Sequence, residues 1–275
     1  MSAVLRAQST WRWHPSALIA ASIALHAVVA TWLVADLAAW PIGISLVVLD
    51  HAVLAAIGMW PRSRLLGPNI TRLPEQARRR GEIALTFDDG PDPEVTPLVL
   101  DILDRFGTRA TFFCIARQAA LHPELCREIA RRGHMVENHS CGHLPTFAFL
   151  GLGGIRRELS RAQETLFGLT GRAPRFFRPP AGLRNPLLDP VLHALGLKLV
   201  SWTRRGFDTR KADAASVAAQ LVHGLRPGDI LLLHDGHCAR TSDNQPVVVE
   251  VLPRVLEAAR SQHLQPVTLD QAIAP

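Results

Sequence analysis

From Gly81 onward the sequence alternates short apolar runs with amphipathic stretches, and that rhythm leaves few folds open. Runs at 83–87, 110–115, 134–138, 176–178, 198–203, 229–234 and 265–268 have the length and composition of buried strands. Between them, 95–106, 123–132, 154–169, 186–195, 214–225 and 247–262 read as helices. Val95, Leu98, Val99, Ile102, Leu103 and Phe106 mark one helical face, and Gly107 ends it; Gly133 and Gly171 close two others. Strands that alternate with helices pair in parallel and carry the helices outside. The fold class is therefore α/β, and roughly 200 residues suffice for one core.

The polar motifs fall where strands end, the rim that carries chemistry in α/β barrels. Residues 85–91 read Leu-Thr-Phe-Asp-Asp-Gly-Pro. Two carboxylates, Asp88 and Asp89, end a buried strand, and Gly-Pro stops it. Such a pair needs a cation, a hydrogen-bond donor or an arginine nearby. After the strand 134–138 comes His139-Ser140-Cys141-Gly142-His143. Two imidazoles at this spacing, with one carboxylate, make a three-ligand metal site that leaves a position open for water. Arg178 precedes Pro179-Pro180-Ala181-Gly182, and its stiffly held fork can orient a carboxylate. Trp202 is followed by Asp208, and the run 231–233 ends in His234. A histidine at that rim with a carboxylate partner is a good general acid, and Asp208 is the candidate partner. His237 and His193 read as structural.

Ahead of this region the chain changes character. Residues 17–34 are apolar except for His26, and 41–60 are apolar except for Asp50 and His51. Each run approaches the ~20 residues that cross a bilayer. Trp11, Trp13, Trp32, Trp40 and Trp60 sit near the expected interfaces. The expectation is an N-terminal transmembrane helical hairpin in residues 1–60, with helices at about 16–34 and 41–60, then a basic linker over 61–80 and a soluble domain over 81–275. Arg6 and Arg12 precede the hairpin and Arg62, Arg64, Arg72 and Arg78-Arg79-Arg80 follow it, whereas the connection holds only Asp36. The positive-inside rule then gives a multi-pass protein of the inner, cytoplasmic membrane with its domain facing the cytoplasm.

The net charge of +6 comes almost wholly from arginine placed beside the apolar runs. That placement suits anionic membrane lipid. No interleaved basic and aromatic face points to nucleic acid. Four cysteines, Cys114, Cys126, Cys141 and Cys238, lack CxxC spacing and read as free thiols.

The motifs Thr-Phe-Asp-Asp-Gly-Pro (86–91) and His-Ser-x-x-His (139–143), followed by Arg178-Pro-Pro, Trp202 with Asp208, and His234, resemble the polysaccharide deacetylase family with its NodB-homology domain, carbohydrate esterase family four. The resemblance covers residues 81–273. It implies a distorted (β/α)7 barrel. It implies Asp88 as catalytic base, and Asp89, His139 and His143 as ligands of one divalent metal ion, zinc first, with cobalt or manganese as alternatives. Arg178 would orient Asp88, and His234 would be the acid, tuned by Asp208. Pro180, Gly182 and Trp202 would face the substrate. Two departures are visible: Ala181 stands where an aromatic is common, and Thr209 where a tryptophan often follows the aspartate. The implied activity is metal-dependent removal of an N-acyl group from an amino sugar. The carbohydrate partner is a chitooligosaccharide-like glycan, peptidoglycan or a lipid-linked saccharide. Deformylation or O-deacetylation on the same fold, and a non-catalytic glycan-binding membrane protein, are the competing readings. The retained polar residues of all five motifs argue against the last.

Overall fold

A computed structural model describes residues 12–273. Arg6 and Trp11, used above, lie outside the described residues. Eight strands are present: β1 (Glu82–Asp88), β2 (Thr111–Cys114), β3 (Met135–Asn138), β4 (Phe176–Phe177), β5 (Lys198–Leu199), β6 (Arg204–Arg205), β7 (Ile230–His234) and β8 (Gln265–Val267). They pair in parallel in the order β5-β4-β3-β2-β1-β7-β6. The two ends of this path, β5 and β6, belong to one run of chain, so the sheet curls back towards itself. The parallel pairing is what the alternation implies, and the curl is what the resemblance to a distorted barrel implies.

The run 198–203 departs from its expected form. It splits, because its start pairs with β4 and its continuation with β7, and the backbone must turn from one neighbour to the other. Thr203 donates its N–H to Ile230 O across that turn. The last strand also takes an unexpected place. β2 pairs with β1 only from Thr86 onward, which leaves Glu82–Ala84 free for β8. Residues 61–80, read as a linker, are packed: Leu66, Leu73 and Ala77 are buried, and Ile70 bridges to Val200.

β1 is buried on both faces. Ile83, Leu85 and Phe87 join the core beneath the helices Val95–Arg105, Ala214–Val222 and Val247–Ser261. Ala84 faces the opposite core with Ile230, Leu232 and Phe113. Side chains alternate along a strand, so Thr86 and Asp88 share the inner face with Ala84. Burying each such leucine or phenylalanine contributes roughly 1.5–3 kcal/mol.

The helices Ala17–Ala35 and Trp40–Gly58 lie against each other. Both are long and apolar enough to cross a membrane, and only 17% of each apolar window is buried. Gly43 lets them approach: a Cβ there would meet Val29 at 3.1 Å. Their polar residues meet at mid-length. Ser22 Oγ donates to Asp50 at 2.7 Å, and His26 lies 3.9 Å from the same carboxylate. The His26 and His51 rings sit edge to face at 5.2 Å, each Nδ1 on a carbonyl one turn back.

Glu137 on β3 is a buried acid that strand patterning alone does not reveal. Its Oε2 accepts the N–H groups of Arg175 and Phe176, at 2.7 and 2.6 Å. Burial pushes its carboxyl up to about 8, against the pull of those two donors. The unfolded chain releases this proton near the ordinary 4.5, and the fold holds it until about 8. Stability therefore falls as pH rises through that interval, by on the order of a few kcal/mol. Glu137→Gln keeps the acceptor and removes the titration. Denaturant unfolding of the full chain in detergent at a series of pH values is expected to show a shallower decline for the variant.

Candidate active site

β1 and β7 run in register, with Asp88 paired to His234, so both project from the same end of the sheet on the same face. Asp89 comes next, where strand alternation alone would turn it away. Its backbone instead adopts φ 76°, a conformation that aspartate tolerates better than most residues. Both carboxylates thereby line one cleft of about 420 Å³. Gly90 follows with no room for a side chain: a Cβ would fall 2.1 Å from Asp235.

Each carboxylate has its own partners. Arg178, fully buried, donates from one terminal nitrogen to Asp88 at 2.6 Å and to Thr86 Oγ1 at 2.9 Å. Its other nitrogens reach the carbonyls of Val200 and Ser201, and the guanidinium lies 4.2 Å from the Phe113 ring centre. Asp89 faces imidazoles. The Nε2 atoms of His139 and His143 each lie 3.2 Å from Asp89 Oδ1. That oxygen is buried and has no hydrogen-bond donor.

The loop 139–143 is wound tightly, with Ser140 and His143 at positive φ. Asn138 Oδ1 accepts the Ser140 N–H, Ser140 Oγ accepts the His143 N–H, and Glu158 accepts the Gly142 N–H. His139 Nδ1 donates to Arg178 O at 2.7 Å, which leaves the Nε2 lone pair aimed at Asp89. The ligand atoms of Asp89, His139 and His143 all lie within 4.8 Å of one another. Lone pairs of two imidazoles and a carboxylate converging on one point, with an orphaned buried oxygen among them, are the donor set of a divalent cation. The pinned Nδ1–H of His139 is the support such a ligand usually has.

His234 stands on the other side of Asp88. The Asp208 carboxylate accepts both its backbone N–H, at 2.7 Å, and its ring Nδ1–H, at 2.8 Å. Burial works against a charged imidazole here, but the adjoining Asp208 carboxylate overcomes it, so the pKa lies above the ordinary histidine value. Burial likewise opposes the charge on Asp89, yet the imidazoles of His139 and His237 beside it hold its carboxyl well below the usual range.

Gly182 and Trp202 line the cleft, together with Ala181, whereas Pro180 is buried and does not line it. Sequence reasoning missed His237, whose Nδ1 is 3.5 Å from Asp89, and Arg205 and Arg210, which line the cleft. His237 lies three residues beyond His234 in the loop after β7, and that position was the available signal. Arg205 carried none, because the split of the 198–203 strand was not foreseeable.

Residues 75–200 match the family model described as polysaccharide deacetylase. A chitooligosaccharide deacetylase from Azorhizobium caulinodans is 35% identical over 160 residues, which cover 58% of this chain and 76% of that protein. The chain belongs to the polysaccharide deacetylase family. The peptidoglycan-N-acetylglucosamine deacetylase PgdA of Listeria monocytogenes is 32% identical over 206 residues, covering 74% of this chain but 42% of that longer protein. Among solved structures, the Bc1960 peptidoglycan N-acetylglucosamine deacetylase in complex with 4-naphthalen-1-yl-N-oxidanyl-benzamide superposes with a TM-score of 0.67 at 27% identity, covering 74% of this chain and 92% of that one. The deacetylase family model ends at residue 200, before Asp208 and His234, and their contact is read from the geometry described above.

The Asp208–His234 pair is directly testable. Asp208→Asn removes the charge that holds the His234 proton, so the His234 pKa is expected to fall in the variant. Ring-proton NMR titration of the full chain measures it, and an unmoved His234 pKa would show that Asp208 does not tune this imidazole.

Proposed function

We propose that this chain is a membrane-anchored, metal-dependent deacetylase that hydrolyses an N-acyl group, N-acetyl first, on an amino sugar. One observation carries the reading. Asp89 Oδ1 is buried without a donor at 3.2 Å from two imidazole nitrogens, and Asp88 stands beside it on different partners.

Asp89, His139 and His143 are the residues that hold a divalent ion, zinc before cobalt or manganese. Bound there, the ion supplies Lewis acidity to a water and to the acyl carbonyl. The remaining work belongs to side chains. Asp88 is fixed through one oxygen by Arg178, and it takes the proton as water attacks the acyl carbon. His234 carries the opposite proton, kept on the ring by Asp208, and delivers it to the amine nitrogen as the C–N bond breaks. The products are a free carboxylate and an amino sugar. Two neighbouring carboxylates thus serve as base and ligand because their surroundings differ. Gly182 and Trp202, with Pro180 behind them, form a substrate wall; Ala181 in place of an aromatic widens it.

The two apolar helices serve as the anchor. In this reading residues 1–60 span the inner membrane as a hairpin, residues 61–80 join it to the catalytic part at 81–275, and the arginines at both flanks keep that part on the cytoplasmic side. A reporter fused after the C-terminus is expected to behave as cytoplasmic, and periplasmic behaviour reverses the assignment.

Asp88→Asn is expected to lower kcat roughly a thousandfold while the protein keeps its metal. His139→Ala is expected to lose both metal and activity. Metal content by mass spectrometry and amine release from an N-acetylated sugar measure the two effects. Full activity after exhaustive chelation would defeat the metal-dependent scheme.

A further inference from the structure

We propose that the cleft takes an amino sugar carried on a lipid through a phosphate, presented at the membrane surface, in preference to a soluble neutral glycan. This rests on the deacetylase reading above and narrows its substrate.

The first observation is how the anchor meets the cleft. The helix Trp40–Gly58 ends directly against the turn that forms the cleft wall. Gly58 O accepts the Arg184 N–H at 3.2 Å, and a Cβ on Gly58 would fall 2.2 Å from Arg184 O. Only Met59 and Trp60 separate the helix from Pro61. Pro61 O accepts from Ser201 Oγ at 2.6 Å and from the Asn69 amide at 2.9 Å. A Cβ on Gly182 would meet Trp202 at 2.6 Å and Pro61 at 2.8 Å, so the wall residues and the end of the anchor occupy adjoining space. Trp13, ahead of the first helix, donates to Asp189 at 2.8 Å and so fastens the start of the helical pair to the domain as well. The cleft is thus fastened beside the membrane helices rather than tethered at a distance.

The second observation is the apolar skirt around this junction. Met59 is 70% exposed, Trp60 58% and Phe149 88%. The Asn185 amide donates to Ala148 O and Leu150 O, which brings Phe149 beside the cleft-wall turn. Large exposed apolar residues next to two membrane helices suit an interface with lipid.

The third observation is charge. Arg205 and Arg210 line the cleft, and neither has a carboxylate within ion-pair range among the described residues. Arg205 lies over the Trp202 and Phe207 rings, at 5.5 and 5.0 Å, and its Nε is buried without a partner. A neutral N-acetylated glycan offers these cations hydrogen-bond acceptors but no counter-charge, and they repel the ammonium of its product. A phosphate on the sugar satisfies them, since guanidinium matches phosphate geometry. A nucleotide sugar carries the same phosphate without the lipid, so the test separates the two sources.

The full chain, metal-loaded and reconstituted in liposomes, is given three probes at equal sugar concentration: polyisoprenyl-phosphate N-acetylglucosamine in the same vesicles, uridine-diphosphate N-acetylglucosamine, and chitotetraose. The lipid-linked probe is expected to exceed chitotetraose in kcat/KM by at least about tenfold, the scale of one charge-assisted hydrogen bond, and to exceed the nucleotide sugar because the shared membrane raises its effective concentration at the cleft. It is also expected to react more slowly when supplied in separate, protein-free vesicles. Arg205→Gln is expected to raise KM for the lipid-linked probe about tenfold or more, with a smaller change in kcat. Equal or faster turnover of the nucleotide sugar overturns the lipid requirement and with it the proposal. Turnover of chitotetraose alone overturns the proposal and leaves the deacetylase reading standing. Failure of all three probes overturns both.

Discussion

The rim of the sheet depends on burying the guanidinium of Arg178. A charge with no exposure to water is sustained only when its hydrogen bonds are met and an opposite charge lies close. Asp88, Thr86 Oγ1 and the carbonyls of Val200 and Ser201 meet those demands, and the Phe113 ring lies against the guanidinium. One side chain thereby ties β1 to β4 and to the run that starts as β5. The same residue's carbonyl accepts the His139 ring N–H. Its side chain fixes one aspartate and its backbone fixes one imidazole, so both halves of the site take their positions from one residue just past a strand of two.

Much of this was legible in the sequence because the signals were local. An apolar run that ends in Asp-Asp-Gly-Pro specifies a buried strand and a stop, and β1 has that form. The amphipathic periods at 95–106 and 247–262 correspond to Val95–Arg105 and Val247–Ser261 with one-residue shifts. What escaped was set by pairing between distant segments. No local pattern in residues 198–203 says that the run must leave β4 for β7, and no composition says that β8 pairs beside the lower half of β1. The site divides in the same way. Asp88, Asp89, His139, His143 and His234 stand at strand ends with polar neighbours, where an unusual residue type is conspicuous. His237 and Arg205 reach the cleft from irregular loops, where a histidine or an arginine is ordinary and only three-dimensional proximity distinguishes it.

The two adjacent aspartates illustrate how a fold separates identical groups. Asp88 remains within strand geometry and meets a cation that cannot lose its proton. Asp89 leaves the strand in a left-handed backbone conformation and meets bases that can. The difference in partner, one guanidinium against several imidazoles, gives the pair unequal electrostatic surroundings without any difference in their chemistry.

The contact between Ser22 and Asp50 in the paired helices has a consequence for how the chain is made. In the anchor reading, a lone second helix would bring an aspartate and a histidine into hydrocarbon with no side-chain partner, which is costly. Against the first helix, that carboxylate already has a hydroxyl at 2.7 Å and an imidazole nearby. The cheaper route during synthesis is for both segments to leave the translocation machinery together.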